Sequence, residues 1–558
     1  MKKALSSWVA QAFAAMGLAV EASEVEASFE IPREEKFGDL STHLCLKLAK
    51  IQKKNPRAIS EALVKELERT LGSSALKGRV ERICVEGPGF VNFYWSAAEL
   101  SSVLLRIEKE GARFGSPRIV SRKILLEYVS ANPTGPLTVA HGRQAALGDS
   151  LGRILRFCGH QVTTEYYNND EGVQIQTLGK STQFRVAEIL DGPQGDIPEN
   201  YYRGEYLIQI AKDLLAKTGE AAFRKLPAEE AATLCRVYAR DRIMETIRRD
   251  LKEFDVNFDS FYSQEELGRS GKVEKTLEDL KKRGKVFESE GAVWLRSTEY
   301  GDDKDRVLIK SDGNYTYLTP DIAYHHDKFE RGFDTLIDIL GPDHHGYILR
   351  LKASQASLGH DAERIHVLIA QLVTLYEGDK QVRMSTRAGE FVTLRQVLDD
   401  VGRDAGRFFF VMRKFDAHLD FDLALAKSQT PENPVFYIQY AHARIESIKS
   451  QAVEKGAKTV ALGQAALHRL GEPQELRVLR LLGQFEDNVL GAERTLEPYR
   501  LVPYLQELAG AFHRFYTENR VVTDDLELTG ARLALIDGVQ KVIRSGLGLL
   551  GVSAPLKM

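Results

Sequence analysis

The chain is poor in the residues that mark a cross-linked or membrane-bound protein. Only four cysteines occur in 558 residues. They are Cys45, Cys84, Cys158 and Cys235, far apart and with no CxxC pair. This argues against a disulfide framework and a cysteine-built zinc site and fits a reducing cytoplasm. No apolar run approaches the length of a membrane span, so no membrane contact is expected. The start, MKKALSSWVAQAFAAMGLAV, imitates a secretory signal, but Ser6, Ser7 and Gln11 interrupt it. Leu5, Trp8, Ala12 and Met16 share one helical face there, so the stretch reads as an amphipathic first helix. An excess of one charge is missing too. The net charge of −3 gives no global attraction to a polyanion, and any nucleic-acid contact must rest on local basic faces. No Ser-His-Asp or Cys-His arrangement stands out, which leaves no obvious protein nucleophile.

What is present is length and ordinary globular composition. The length suggests three or four domains, each able to bury its own core. The most informative run is Lys123 to Arg156, KILLEYVSANPTGPLTVAHGRQAALGDSLGRILR. Ile124 to Val129 is short and mostly apolar, which suits a buried parallel strand. Asn132-Pro133 and Gly135-Pro136 force a turn. From Val139, apolar residues at Leu147, Leu151, Ile154 and Leu155 recur with helical spacing. Strand, Gly/Pro turn and helix is how an α/β sheet holds a ligand at the carboxyl end of a strand, and the helix start beside His141 and Arg143 favours an anion. On spacing alone, an ordinary βα turn with a surface histidine is the favoured reading.

Other stretches are similarly open when taken singly. Arg306–Lys310 and Tyr315–Leu318 straddle Asp312-Gly313 like a hairpin, and Pro320 and Asp321 then open a helix. Leu336 to Leu340 reads as a buried strand ending in Gly341-Pro342-Asp343-His344-His345-Gly346. Adjacent histidines diverge on one backbone and no further His/Cys cluster completes a coordination sphere, so no metal is assigned. Gln381 to Glu390 is a polar loop with arginines flanking Ser and Thr, either a phosphate clamp or a plain basic turn. Residues 203 to 285 are charged and helical in pattern. Gly456 to Pro473 reads as a loop with a short helix. Val502, Leu505, Leu508, Ala509, Phe512, Phe515 and Tyr516 form one apolar stripe of a helical bundle.

Taken together, these segments resemble a known family. Residues Ser130 to Arg143, SANPTGPLTVAHGR, resemble the HIGH segment of class I aminoacyl-tRNA synthetases in the form found in arginyl-tRNA synthetases. FGDLSTHLCLKLAK and GPGFVNF resemble that family's N-terminal domain, and YYNNDEGVQI resembles it as well. Arg383-Met384-Ser385-Thr386-Arg387 stands where such enzymes carry KMSKS. NPVFYIQYAHARI, AFHRFYTENRVV and LGLLGVSAPLKM resemble the anticodon-binding bundle.

The resemblance implies a multidomain α/β protein. Residues 1–115 would form an N-terminal α/β domain touching the tRNA, with Lys47, Lys50, Lys53, Lys54 and Arg57 near phosphates. Residues 116–395 would form a Rossmann-type parallel-sheet catalytic domain with a helical insertion at about 203–285. Residues 396–430 would connect to an all-α anticodon-binding bundle at 431–558.

The implied activity is ATP-dependent attachment of L-arginine to tRNA(Arg) through an arginyl-adenylate, by a cytoplasmic monomer using ATP and Mg²⁺. The implied catalytic residues are His141, Arg143, Arg383, Ser385 and Arg387. Arginine would be held by Glu127, Ser130, Asn132, Tyr317 and Asp321, since a guanidinium favours carboxylates placed for bidentate pairing. ATP would be held by Thr138, Ala140, His141, Gly142, Asp343, His345, Met384 and Ser385. The motifs also depart from the family. Thr138 replaces a histidine, Ala140 a glycine and Thr386 a lysine, and Gly135 sits where some relatives place a compensating lysine. That leaves Arg143, Arg383 or Arg387 to neutralise pyrophosphate. Two alternatives stand beside this reading: a small-molecule nucleotidyl transferase of the same superfamily, and a weakened paralogue that only binds RNA or a partner protein.

Overall fold

The computed structural model describes residues 2–32, 34–378, 380–382, 391–454 and 464–558; within these, the side chains of His345, Gln464 and Ala465 are excluded. Most of the expected loop at Gly456 to Pro473 lies outside these residues, apart from a short helix at Gln464–Leu467. The opening segment is a helix, Lys2–Ala15, with Leu5, Trp8 and Ala12 buried. Its neighbours are the antiparallel strands β1 (Phe29–Glu30), β2 (Leu40–Thr42), β3 (Val80–Glu86) and β4 (Phe90–Trp95), in the order β1-β2-β4-β3. Gly38 turns the chain into β2 at φ +87°, where a Cβ would lie 2.7 Å from the Phe93 carbonyl oxygen. Asn55 caps the helix Pro56–Leu71, accepting from the Arg57 amide, with Pro56 at its first position. These elements share a core of their own that reaches Trp95. The unit read from the sequence as running to residue 115 is therefore shorter in packing. The helix Ala97–Glu110 instead joins the main core, against the helices Pro473–Gly483 and Leu526–Leu549.

The central sheet consists of β5 (Lys123–Glu127), β6 (Gln161–Asn168) and β7 (Ser260–Ser263), later joined by β11 and β12. Between them β8 (Val286–Ser289), β9 (Ala292–Leu295) and β10 (Arg306–Ile309) make a separate antiparallel sheet. The chain returns through β11 (Thr335–Leu340) and β12 (Ile365–Ile369). The spatial order is β12-β11-β5-β6-β7 with every pairing parallel. This is a doubly wound sheet whose order reverses between β5 and β11, the crevice where such sheets take ligands. β7 lies within the stretch expected to be a helical insertion. It is four residues long and pairs with β6 through Tyr166 and Tyr167, so that stretch is helical on either side of a sheet strand.

The hairpin expected around Asp312-Gly313 forms with a short second arm: Ile309 bridges Tyr315, the Lys310 amide donates to Asn314 O and the Thr316 amide to Leu308 O, before the helix Leu318–Glu330 begins. Proline at an early helical position and an acid in the first turn favour the helix over the strand. A last small sheet contains β13 (Val373–Glu377), β14 (Lys380–Gln381) and β15 (Leu419–Asp422), ordered β14-β13-β15. The C-terminal part is helical, and its stripe of Val502, Leu505, Leu508, Ala509, Phe512 and Phe515 is buried. One continuous core joins the parallel sheet to this bundle. Among the described residues, no helix is long and apolar enough to cross a membrane.

Candidate functional site

The crevice at the sheet reversal is built on a strained turn. Glu127 ends β5 and lies in register with Asp338 of β11. Val129 and Ser130 then take φ of +68° and +39°, a conformation that costs a β-branched residue in particular and so marks a place where geometry matters. The turn aims the Ser130 hydroxyl back. It donates to Glu127 Oε1 at 2.9 Å and accepts from the Tyr167 amide at 3.0 Å.

The helix Leu318–Glu330 contributes one face to the same place. Asp321, His325 and Lys328 are spaced by four and three residues, so they line up. Lys328 is fully buried, and its Nζ lies 2.6 Å from Glu127 Oε2 and 2.7 Å from Asp338 Oδ1. Burial opposes that ammonium, but Asp338 and Glu127 outweigh it and raise its pKa. Burial likewise opposes the Asp338 carboxylate, and Lys328 and His325 together hold its pKa well below the usual range. His325 Nδ1 donates to the Asp321 carbonyl at 2.8 Å, and its Nε2 lies 3.1 Å from Asp338 Oδ2.

Asp321 differs from these. It is half-buried, and among the described residues its carboxylate accepts from the Tyr347 hydroxyl, at 2.7 Å on Oδ2. Burial raises its pKa against that hydrogen bond. A carboxylate held in this way gains from any cation that reaches it. Alongside, Arg331 forks onto both oxygens of Glu165 at 2.7 and 2.8 Å, and Tyr324 donates to Glu165 Oε1. Four carboxylates (Glu127, Glu165, Asp321 and Asp338) thus face two permanent cations, Lys328 and Arg331. The recess is a receptor for positive charge. Glu127, His325 and Asp338 could geometrically surround a metal ion, but the Lys328 ammonium already sits between the two carboxylates.

The anion side begins at the helix Val139–Phe157, which starts after the same turn. The Thr138 amide donates to His141 Nδ1 at 3.1 Å, with Thr138 Oγ1 at 3.2 Å from that atom. His141 thus fills the place a glutamate takes in a capping box. An Nδ1 that accepts an amide hydrogen leaves the proton on Nε2, and burial lowers the ring's pKa to about 4. The half-buried His141 is a neutral donor at the helix start.

Strand-like bonds join this start to the far flank of the polar loop. The Val139 amide donates to Val392 O at 3.1 Å, and the Leu394 amide to Leu137 O at 2.8 Å. The near flank is held by the Val382 amide on Leu375 O. Arg383, Met384, Ser385 and Arg387 lie outside the described residues.

Two residues expected near ATP or phosphate, Arg143 and Gly142, and one expected at arginine, Tyr317, are placed otherwise. Arg143 is fully buried, donating to the carbonyls of Gln371, Leu372, Lys414 and Ala417. Burial lowers its pKa to about 10. The expectation of a phosphate contact is corrected: these carbonyls occupy both terminal nitrogens, and the residue braces the segments that lead into β13 and β15. Gly142 faces the helix Leu394–Val411, where a Cβ would lie 2.9 Å from Leu394 Cδ1, so its small size serves helix packing. Tyr317 is 76% exposed, at the helix start and out of the recess.

Thr138 and Ala140 are half-buried at the helix start, and Asp343 is exposed in the turn Pro342–Tyr347 after β11. The His345 side chain lies outside the description. Asn132 donates to Gln174 Oε1 at 2.7 Å. The structure therefore brings together Glu127, Ser130 and Asp321, and adds Lys328, Asp338, His325 and Tyr347, which the sequence reading missed. The spacing of 325 and 328 from Asp321 was the available signal for two of these.

Comparison with known proteins covers the whole chain. The family profile described as "Arginyl tRNA synthetase N terminal domain" matches residues 1–95, "tRNA synthetases class I (R), catalytic domain" matches 100–411, and "DALR anticodon binding domain" matches 438–558. The chain is 46% identical over 534 residues to a protein named arginine--tRNA ligase from Syntrophotalea carbinolica, covering 96% of this chain and 95% of that one. It is 45% identical over 561 residues to the protein of the same name from Geobacillus kaustophilus, covering 100% and 99%. In fold it is similar to the solved arginyl-tRNA synthetase of Thermus thermophilus, with a TM-score of 0.76 over all of both chains at 24% identity.

Proposed function

The chain belongs to the arginyl-tRNA synthetase family, and from that premise we propose that it attaches L-arginine to tRNA(Arg) through an arginyl-adenylate. The observation that carries the reading is the acid-rich recess at the sheet reversal, a receptor for a cationic side chain, with a helix N-terminus at the other end of the same turn. A substrate with a guanidinium at one end and a carboxylate that must meet a phosphate at the other fits both.

In the first step an arginine carboxylate oxygen attacks the α-phosphorus of ATP and the bond to pyrophosphate breaks. In the second the terminal 2′-hydroxyl of the tRNA attacks the carbonyl and AMP leaves. Both attacking groups come from substrates, so the protein contributes positioning and charge stabilisation. Glu127 and Asp321 hold the guanidinium, with Tyr347 fixing Asp321. Ser130 and Asn132 serve the α-amino and carboxylate end. Tyr317 belongs to the rim. His141 donates from Nε2 to a phosphate oxygen. Thr138, Ala140 and Gly142 present the backbone at the helix start, while Asp343 and His345 take the adenosine. Met384 and Ser385 serve ATP, and Arg383 and Arg387 are the cations for pyrophosphate. Mg²⁺ arrives with ATP, carried mainly by the phosphates.

The exposed Lys50, Lys53 and Lys54 and Arg57 suit the outer corner of the tRNA, where phosphate contacts position without reading sequence. Lys47 is paired with Glu24 and Arg57 with Glu61, and both contribute less. We read the protein as a cytoplasmic monomer. The test is incubation of purified protein with ATP, bulk tRNA and labelled arginine or lysine. Arginyl-tRNA alone is the expected product. Adenylate formed without charging, or tRNA bound without either reaction, would overturn the reading.

A further inference from the structure

Lys328 occupies the centre of the recess and has no part in the roles above. Two of its hydrogens go to Glu127 Oε2 at 2.6 Å and Asp338 Oδ1 at 2.7 Å, and the His325 ring packs beside it with Nε2 3.4 Å away. The Tyr324 ring closes another side, with its centroid 4.3 Å from Nζ. The ammonium is caged and fully buried, so it does not meet a substrate directly. Its effect must pass through Glu127.

On Glu127 that effect is geometric. Oε2 takes the Lys328 ammonium and Oε1 takes the Ser130 hydroxyl. Each oxygen keeps one further lone pair, so the carboxylate is held at both ends with an acceptor position left on each oxygen. Two such acceptors suit the edge of a guanidinium. They match an ammonium poorly, because it is a compact point charge that would approach a carboxylate already neutralised by a like charge. Asp321 offers the second carboxylate, which the Tyr347 hydroxyl orients from Oδ2.

We propose that Lys328 is a positioning and specificity residue for the arginine side chain: its own ammonium fills the compact-cation place on Glu127, fixes that carboxylate for bidentate pairing and turns away lysine. This rests on the reading of Glu127 and Asp321 as the guanidinium receptor. Discrimination then comes from a repulsive element as well as an attractive one.

The test is steady-state kinetics on the full-length enzyme with tRNA present. Lys328→Met keeps length and removes charge. The expected result is an arginine KM raised roughly 10- to 100-fold, as for loss of an oriented charge-assisted bond, with kcat at saturating arginine and the KM for ATP within about 3-fold of wild type. Inhibition by lysine should strengthen.

Lys328→Met alone leaves buried acids uncompensated and could unfold the chain. The double variant Lys328→Met with Asp338→Asn removes one charge of each sign and keeps the balance. If Lys328 positions Glu127, the double variant still has a raised arginine KM. If Lys328 serves only to neutralise Asp338, the double variant returns to the wild-type KM and the proposal is overturned. An unchanged arginine KM in either variant also overturns it, as does a fall in kcat with KM unaltered. Glu127→Gln and Asp321→Asn run alongside. Should they leave the arginine KM unchanged, the reading of the recess itself fails; should they raise it while the Lys328 variants do not, only the role of Lys328 fails.

Discussion

His141 does two things with one ring. Nδ1 caps the helix by accepting the Thr138 amide, which leaves the proton on Nε2 as a hydrogen-bond donor. Burial lowers its pKa to about 4, so it works as a neutral imidazole throughout the usual assay range. His141→Ala should lower the rate of arginine activation roughly 10²–10³-fold, as for loss of one transition-state donor. In wild type, the pH profile of activation should show no inflection from this ring near its ordinary value of 6.5. Single-turnover activation measured from acid to neutral pH checks both points. Unchanged kinetics in the variant would remove His141 from the chemistry. A histidine is informative here because glutamate would complete the cap equally well but could not donate. The sequence alone allowed a surface histidine; the Thr138 contact and the burial are what separate the two readings.

At the scale of elements, Arg143 shows how the two signature segments are held in one frame. Its guanidinium binds carbonyls at Gln371, Leu372, Lys414 and Ala417, clamping the leads into β13 and β15 to the helix that carries His141. Arg143→Ala removes the hydrogen bonds that its fully buried guanidinium makes to those carbonyls, at a cost on the order of 3 kcal/mol. Denaturant melts should show that loss directly. A variant of unaltered stability with a selective rise in the KM for ATP would instead return Arg143 to a phosphate role.

The strand, turn and helix at 123–157 were legible in the sequence because the apolar period changes across a Gly/Pro turn. Asp321 was legible as a first-turn acid. Lys328 was not, since a lysine within HHDKFER reads as a solvated face. Only the arrival of β5 and β11 beneath that helix, from segments about 200 and 10 residues away, buries it. β7 escaped detection because four residues between long helices give too short a period to register. Arg143 was misplaced because a basic residue at a helix start fits a phosphate and a set of carbonyls equally well.

For the whole molecule, the buried imidazoles set the acid side of stability. His141 and His360 are each lowered to about 4, by burial foremost, with His326 adding to the effect on His360. Burial also lowers His326, His366, His442 and His513. Each titrates near 6.5 when unfolded, so below that value the unfolded chain binds more protons than the folded one. Stability from these groups is present above about 6.5 and is lost as pH falls toward about 4. The melting temperature should therefore decline steadily on acidification through this window. A melting temperature that is flat or rises there would show that the imidazoles are not buried as neutral rings.

The family frame, the parallel sheet and the helical bundle all converge on one recess, and the account stands on its being the arginine receptor. The most direct measurement is the arginine KM of Asp321→Asn in tRNA-supported pyrophosphate exchange. Removing the carboxylate that Tyr347 orients should raise that KM by roughly 10²-fold, the worth of a charge-assisted bidentate pair, while the KM for ATP stays where it was. An arginine KM equal to wild type would contradict the account and place the guanidinium elsewhere.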